Sequence, residues 1–199
     1  MEDYAIIVLA AGGSSRMGKA KQLLHISAKT LLMHTIDEAR NILPDAVYVV
    51  TGAHATSIEV ELNESHVHLC YNPNWQEGMA SSIKSGLKAA LQANPAIKGC
   101  LICVCDQPFL STAILSGLIS KHKENSSAII ASAYRDTIGV PVLFDRQFFP
   151  LLMELKGQEG AKKLLNSKYQ QVVHVPFPKG DIDIDTPDDY ANLLGMQPT

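Results

Sequence analysis

A glycine-rich segment near the amino terminus carries hydroxyl and cationic side chains within a short span. Residues 9–21 read LAAGGSSRMGKAK and directly follow an apolar, strand-like stretch. Glycines let a backbone approach a ligand closely, and free backbone N–H groups bind phosphate oxygens. Ser14 and Ser15 add hydroxyl donors, and Arg16 and Lys21 add positive charge. This combination predicts a phosphate-binding loop.

Three aspartates form a second group that could do chemistry. Asp106 follows the apolar residues 99–105, at the end of a predicted strand, where the ligand crevices of α/β proteins open. Asp183 and Asp185 are two positions apart, so both carboxylates face one side of an extended segment and repel each other unless a cation is near. Magnesium prefers one or two carboxylates plus substrate phosphate oxygens. We therefore expect Asp106 to bind magnesium, although a turn or helix-cap role is its alternative.

The glycine-rich segment also has two other interpretations. Gly13 and Gly18-Lys19 match the first seven positions of the P-loop pattern of NTPases. That pattern then requires Ser or Thr to bind magnesium, and this chain has Ala20. The segment could also be a flexible surface turn, but the repeated glycines, serines and cations directly after an apolar strand favour phosphate binding.

The clustered cysteines at positions 100, 103 and 105 are predicted to be structural. They lie on an apolar strand, where free cysteine behaves as a small buried hydrophobe. Cys100 would face away from Cys105 on a strand, so the three thiols would not converge on one metal ion. We expect them to be reduced.

Strand-like and helix-like stretches alternate along the chain with short connections. Strands are predicted at residues 4–10, 46–51, 66–71, 99–105, 128–134 and 140–144, and helices at residues 29–43, 53–64, 79–93 and 112–124. A last helix is predicted with Thr186 as N-cap, Pro187 as first helical residue and Gly195 as C-cap. This order predicts a single three-layer α/β/α domain over residues 1–199, with a mostly parallel sheet and right-handed crossovers.

Composition and charge exclude several functional classes. The 199 residues carry a formal net charge of −3, with 46% hydrophobic and 19% charged residues. A nucleic-acid polymer is therefore not expected as a partner, because binding its backbone requires a basic surface. The apolar run at residues 5–11 is far shorter than the roughly 20 residues of a membrane span, and Glu2 and Asp3 do not suit a signal peptide. We expect a cytoplasmic protein without a membrane partner.

Residues 9–21 resemble a known family signature. They match L-A-A-G-x-S-x-R-M-G-x-x-K at every fixed position, which is similar to the nucleotidyltransferases with a Rossmann-like fold. Within them, the chain looks most like the molybdenum cofactor cytidylyltransferases. Supporting segments are GMASSIKSGL at residues 78–87, DQP at residues 106–108 and DIDTPDD at residues 183–189. These segments occur in the family's order and span nearly the whole chain.

The resemblance implies a magnesium-dependent transfer of CMP from CTP to the phosphate of molybdopterin, or a similar phosphate monoester, with release of pyrophosphate. It implies catalytic roles for Arg16, Lys21 and Asp106. It implies nucleotide contacts at Leu9, Ala10, Ala11, Gly12, Gly13, Ser14, Ser15, Lys21, Ser82 and Asp106. Lys19 occupies a variable position and is expected to be a solvated charge.

The resemblance also implies that Asp183 or Asp185 completes the metal site opposite Asp106, and we favour Asp183. Ser82 is implied to help read the base, and the A-A-G start suggests cytosine rather than guanine. The product could be handed over to a molybdoenzyme or a chaperone.

Two segments depart from the family pattern on the expected acceptor side. The family usually has G-H-P and G-D-x-G-A-R, whereas this chain has GVP at residues 139–141 and GQEGAK at residues 157–162. Alternative functions are therefore guanylyl transfer to the same cofactor, and cytidylyl transfer to a methylerythritol or sugar phosphate. A non-catalytic nucleotide-binding module is an alternative of another class.

Overall fold

Strands and helices alternate along most of the chain in the computed structural model, which describes residues 3–126, 128–168 and 171–196. The strands are β1 (Tyr4–Leu9), β2 (His25–Ile26), β3 (Lys29–Thr30), β4 (Val47–Thr51), β5 (His68–Tyr71), β6 (Gly99–Val104), β7 (Ile129–Tyr134), β8 (Thr137–Asp145) and β9 (Val172–Pro176). The helices are α1 (Leu31–Arg40), α2 (Ala55–Glu61), α3 (Met79–Ala93), α4 (Thr112–Glu124), α5 (Phe149–Glu154), α6 (Ala161–Ser167) and α7 (Pro187–Met196).

Seven of these strands form one sheet in the order β5-β4-β1-β6-β8-β7-β9. The pairs β1–β4, β1–β6, β4–β5 and β7–β9 are parallel, whereas β8 runs antiparallel to both β6 and β7. The strands β2 and β3 form a separate two-stranded hairpin. The prediction of a mostly parallel sheet is therefore confirmed.

Helices cover the central strands, which are buried along almost their full length. The residues of β4 are all buried, and in β1 and β6 only the last residue is less than fully buried. Helices α1 and α4 pack against each other, and α3 packs against α5, which contacts α6. With right-handed crossovers these two groups lie on opposite faces of the sheet. The three-layer α/β/α arrangement explains why the central strands are continuous apolar runs.

Several predicted boundaries agree with the structure, and others are wrong. Helices α3 and α4 have the predicted bounds, because their buried residues recur at helical spacing. The predicted helix at residues 29–43 is too long, since residues 29–30 form β3 and the helix ends at Arg40. The sequence did not predict α5, α6 and β9, which are short elements with weak periodicity.

The carboxyl-terminal helix begins as predicted but does not end at Gly195. Thr186 Oγ1 accepts a hydrogen bond from the Asp189 N–H at 3.2 Å, and Asp189 Oδ2 accepts one from the Thr186 N–H at 2.8 Å. This reciprocal pair is a capping box. Gly195 lies inside α7, which extends to Met196.

No helix among the described residues is long and apolar enough to span a membrane.

A second, smaller hydrophobic cluster joins the two ends of the chain. Met17 of the glycine-rich segment, and Leu24 and Leu31 after it, pack with Leu193 of α7 and with Ile184 before that helix. The hydroxyl of Tyr190 donates a hydrogen bond of 2.8 Å to the carbonyl of His25. These contacts hold the segment that carries Asp183 and Asp185 beside the glycine-rich segment.

Gly86 and Gly117 provide a test of this packing, since both lie inside helices but differ in the space around them. A methyl group at Gly86 would overlap Ile7 Cγ2 and lie 2.9 Å from Val50 Cγ2, whereas at Gly117 its nearest neighbour would be Val175 Cγ1 at 3.6 Å. We expect Gly86→Ala to lower the free energy of unfolding by about 1–3 kcal/mol through overpacking. Gly117→Ala should raise it by about 0.5–1 kcal/mol through helix propensity. Urea denaturation measures both, and changes of equal sign would contradict the α3 packing.

Candidate functional site

The glycine-rich segment, Asp106 and the 183–185 segment meet at the carboxyl ends of β1 and β6. These two strands are adjacent and parallel, so the residues that follow them leave the sheet at the same edge. The N–H of Ile184 donates a hydrogen bond of 3.0 Å to the carbonyl of Asp106. This bond places Asp183 and Asp185 beside the end of β6.

Lys21 stands between two of the three aspartates. Its Nζ donates to Asp106 Oδ2 at 2.5 Å and to Asp185 Oδ1 at 2.7 Å, and only 18% of its side chain is exposed. Burial alone would lower the pKa of Lys21, but the two carboxylates outweigh it and raise that pKa above its ordinary value. Lys21 is therefore a permanently charged ammonium group that the aspartates hold in place.

Asp185 connects Lys21 to the more exposed cation of the glycine-rich segment. The guanidinium of Arg16 donates to Asp185 Oδ2 at 2.7 Å, and 69% of the Arg16 side chain is exposed. Partial burial would raise the pKa of Asp185, but hydrogen bonds and attraction from Lys21 and Arg16 lower it below its ordinary value. Asp185 thus shares the ammonium group of Lys21 with Asp106. Asp183, which we favour as a metal ligand, has no ion pair with Lys21 among the described residues.

Asp183 has the opposite electrostatic environment. Desolvation of its carboxyl group is the main cause that raises its pKa to about 6, although the residue as a whole is exposed. Repulsion from the carboxylates of Asp106 and Asp185 adds to this effect. Among the described residues, Asp183 has no hydrogen bond or ion pair of its own, so it lacks the compensation that Asp185 receives.

The aspartates fit a divalent cation that is shared with a substrate. The described residues contain no group of three or more His, Cys, Asp or Glu side chains arranged to hold a metal. However, Asp106 Oδ1 is buried and has no hydrogen-bond partner among them, which is costly for a carboxylate oxygen. Asp106 Oδ1, which lies near further carboxylates, is therefore suited to bind magnesium. Magnesium completes its coordination with substrate phosphate oxygens and water.

A cleft of about 460 Å³ opens beside this charged group. The predicted site residues that line it are Leu9, Ala11, Gly12, Gly13, Ser15, Arg16, Lys21, Ser82 and Asp106. Ala10, Ser14, Asp183 and Asp185 do not line it. The cleft therefore brings together most of the predicted nucleotide contacts, and the two later aspartates lie outside its wall.

Gln22 organises the glycine-rich segment and was missed by the sequence analysis. Its Nε2 donates to the carbonyls of Ala10 and Gly12 at 3.0 and 2.9 Å, and its Oε1 accepts from the Ser14 hydroxyl at 3.2 Å. The Ser14 hydroxyl also accepts from the Lys21 N–H at 3.1 Å. Ser14 therefore gives its hydroxyl proton to Gln22, and the hydroxyl donor predicted there is already used.

The opposite wall is formed by the start of α3 and the residues before it. The Nδ2 of Asn72 donates to the hydroxyl oxygens of Ser81 and Ser82, at 2.8 and 3.1 Å. The Ser81 hydroxyl is directed to the carbonyls of Asn74 and Gly78, and it does not cap α3, whose N-cap is Gly78. Ser82 accepts from Asn72 and lines the cleft. Of these two serines, only Ser82 is therefore placed to contact a ligand in the cleft.

Trp75 is a further lining residue that sequence reasoning missed. Its ring lies over Gly13, where a methyl group would be 3.5 Å from Trp75 Cζ3. A methyl group at Gly52 would lie 2.7 Å from Trp75 Cβ, so glycine is needed there for the close approach. The signal was present as the single tryptophan of the chain, between turn residues and α3.

The two segments that depart from the family pattern take different places. The carbonyl of Gly157 accepts from the Ala80 N–H at 3.1 Å, and Gln158 lines the cleft at the start of α3. Gly139 lies against the hydroxyl of Tyr134 in the β7–β8 hairpin. One segment therefore borders the cleft at α3, and the other lies at β8, where the carbonyl of Val140 accepts from Gln107 Nε2.

The clustered cysteines are structural, as predicted. The thiols of Cys100, Cys103 and Cys105 are free and buried, and burial raises the pKa of Cys103 and of Cys105 to about 12. Thiols with so high a pKa are inert as nucleophiles and as metal ligands.

Comparison with known proteins shows a family match over most of the chain. The sequence model of the MobA-like NTP transferase domain matches residues 6–173. The purine catabolism protein PucB of Bacillus subtilis is 30% identical over 196 residues, which is 92% of each chain.

Solved structures share this fold over almost the whole chain. The crystal structure of Rv0371c from Mycobacterium tuberculosis superposes with a TM-score of 0.84 at 29% identity, covering 96% of this chain and 97% of that one. A manganese complex of Rv0371c superposes with a TM-score of 0.80 at 27% identity, covering 98% and 99%. The molybdopterin-guanine dinucleotide biosynthesis protein A of Archaeoglobus fulgidus has a TM-score of 0.71 at 16% identity, covering 96% and 97%, and shares the fold.

Asp183→Asn tests the electrostatics of the aspartates. The ordinary pKa of an aspartate is 3.8 and that of Asp183 in the folded chain is about 6, so ionisation of Asp183 destabilises the fold as the pH rises through this window. Without divalent cations, Asp183→Asn should therefore raise the melting temperature at pH 8 and leave it nearly unchanged at pH 4. Calorimetry at both pH values measures the effect, and an equal change at both would contradict the raised pKa.

Proposed function

Since this chain belongs to the MobA-like NTP transferase domain family and is a nucleotidyltransferase, we propose that it transfers CMP from CTP to the phosphate of molybdopterin, or of a similar phosphate monoester. Pyrophosphate is the second product. The observation that carries the proposal is the ammonium group of Lys21, held between Asp106 and Asp185 at the edge of a cleft lined by the glycine-rich segment.

The reaction needs positioning and charge stabilisation. An oxygen of the acceptor phosphate attacks the α-phosphorus of the nucleotide, a new P–O bond forms there, and the bond to the β-phosphate oxygen breaks. Negative charge grows on the α-phosphoryl oxygens and on the leaving pyrophosphate. Lys21 would neutralise the α-phosphoryl oxygens, and the planar guanidinium of Arg16 suits the outer phosphates.

A divalent cation is proposed as the cofactor, with magnesium as the ion. The residues that would hold it are Asp106 and Asp185, which already share a cation, together with Asp183 as a nearby third carboxylate. When bound, such an ion would neutralise phosphate charge during transfer. The manganese complex of Rv0371c supports a divalent-cation site in this family.

Base selection is assigned to the wall formed by Ser82 and the residues before α3. Ser82 accepts from Asn72, so its own hydroxyl proton is available to an acceptor atom of a base. Ala11 and Gly12 allow the base or ribose to approach the backbone. The choice of cytosine among the bases depends on the A-A-G start, through the family resemblance.

The acceptor would enter where Gln158 and the β7–β8 hairpin flank the aspartates. Val140 stands where the family pattern has His, and Gln158 stands where it has Asp. The proposal for the acceptor therefore depends on the family rather than on a specific side chain. The product would pass to a molybdoenzyme or a chaperone.

The choice of nucleotide can be tested by thermal stabilisation. A ligand stabilises the folded chain by mass action, so the preferred nucleotide should raise the melting temperature most at equal concentration. We expect CTP with magnesium to give the largest rise when CTP, GTP, ATP and UTP are compared. Transfer of label from α-labelled CTP to molybdopterin, with methylerythritol phosphate as the comparison acceptor, tests the whole reaction. A response to GTP alone would contradict cytidylyl transfer.

Substitutions of Asp106 and Lys21 separate catalysis from nucleotide binding. Asp106→Asn should abolish metal-dependent pyrophosphate release while the fold persists. Lys21→Met should lower kcat about 10²–10³-fold, with a smaller effect on nucleotide affinity, because its charge acts mainly in the transition state. Lys19→Met is the matched control, since Lys19 Nζ lies 5.6 Å from the centre of the Tyr190 ring and forms no ion pair with Asp106 or Asp185 among the described residues. Weaker nucleotide binding with normal kcat in Lys21→Met would contradict the assigned role.

A further inference from the structure

Two glutamines in this fold are almost completely buried beside the charged group. Gln22 is 1% exposed and Gln107 is 2% exposed. In each, one amide nitrogen donates to two backbone carbonyls of other segments. Only the amino end of a glutamine can satisfy two carbonyls at once, so the chemistry fixes the orientation of both amides.

Gln22 acts on the glycine-rich segment. It binds the carbonyls of Ala10 and Gly12 and receives the Ser14 hydroxyl proton, so all its polar atoms are satisfied within that segment. Because both carbonyls accept hydrogen bonds from the buried Gln22 amide, the backbone of the segment is held in one conformation beside the cleft. The Ser14 hydroxyl also binds the Lys21 N–H, which links the same network to the catalytic lysine.

Gln107 acts on the segment that carries the later aspartates. It follows Asp106 directly, and its Nε2 donates to the carbonyls of Val140 and Gly180 at 3.2 and 2.8 Å. Gly180 begins the stretch that leads through Asp183 to Asp185. Gln107 therefore ties this stretch and the start of β8 to the end of β6, next to Asp106.

We propose that Gln22 and Gln107 are positioning residues with separate tasks. Gln22 holds the glycine-rich segment and Lys21 in the conformation that binds the triphosphate. Gln107 holds the 180–185 stretch so that its carboxylates lie beside Asp106 for the divalent cation. The inference rests on the proposed nucleotidyl transfer, but it concerns two binding constants that can be measured without an acceptor.

The test replaces each glutamine by methionine, which keeps the length and removes the amide. Binding of pyrophosphate at saturating manganese is followed by the fluorescence of Trp75, the only tryptophan, which lines the cleft. Binding of manganese at saturating pyrophosphate is followed by electron paramagnetic resonance. We expect Gln22→Met to weaken pyrophosphate binding at least tenfold and manganese binding less than twofold. Gln107→Met should show the reverse pattern.

Each variant serves as the matched control of the other, because both remove a buried amide that binds two carbonyls. Equal weakening of both constants in both variants would show a general loss of structure and overturn the proposal, as would wild-type constants. Circular dichroism and melting temperature verify folding. If Gln22→Met does not fold, Ser14→Ala removes the link between Gln22 and Lys21 at lower structural cost and should itself weaken pyrophosphate binding selectively.

The outcomes also separate this inference from the proposed function. Wild-type protein that binds pyrophosphate and manganese but transfers no label to molybdopterin would contradict the proposed acceptor. The two binding constants of the glutamine variants would still distinguish separate positioning roles from a general loss of structure.

Discussion

The ion pairs of Lys21 with Asp106 and Asp185 are the constraint on which the site depends. They join positions 85 and 164 residues away in sequence, so the chain must bring three distant segments to one point. The parallel pairing of β1 and β6 achieves this for the first two, because both strands end at the same edge of the sheet. Without Lys21, two partly buried carboxylates would face each other without a shared cation, which is unfavourable at low dielectric.

The third segment is held by a different part of the fold. Asp185 precedes α7, whose capping box and contact with His25 fix its start beside the glycine-rich segment. Ile184 contributes both a buried side chain to the second cluster and the backbone bond to Asp106. This segment lies beyond residues 6–173, the part matched by the family's sequence model. The site therefore depends on a carboxyl-terminal segment that is anchored through the buried side chain of Ile184 and its backbone bond to Asp106.

The sequence was most informative where a residue acts through its own side chain or through periodic burial. Helices α3 and α4 follow from apolar spacing, and the glycine-rich segment and Asp106 follow from residue type after an apolar strand. Gln22 and Gln107 were not predicted as site residues because they act through distant backbone carbonyls, which leave no pattern in sequence. The pairing of Lys21 with Asp185 rather than Asp183 was also hidden, since two aspartates on one side of a strand look equivalent until the lysine is placed.

The two cations differ in how strongly the protein holds them. The pair between Arg16 and Asp185 is exposed, and such pairs contribute about 0–1 kcal/mol, so Arg16 can leave Asp185 for a phosphate at little cost. Lys21 is shielded and contacts two carboxylates, so moving it to a phosphate would leave both without a partner. A divalent cation arriving with the nucleotide would compensate those carboxylates at the same moment. The geometry therefore favours joint binding of nucleotide and cation over binding of either one alone.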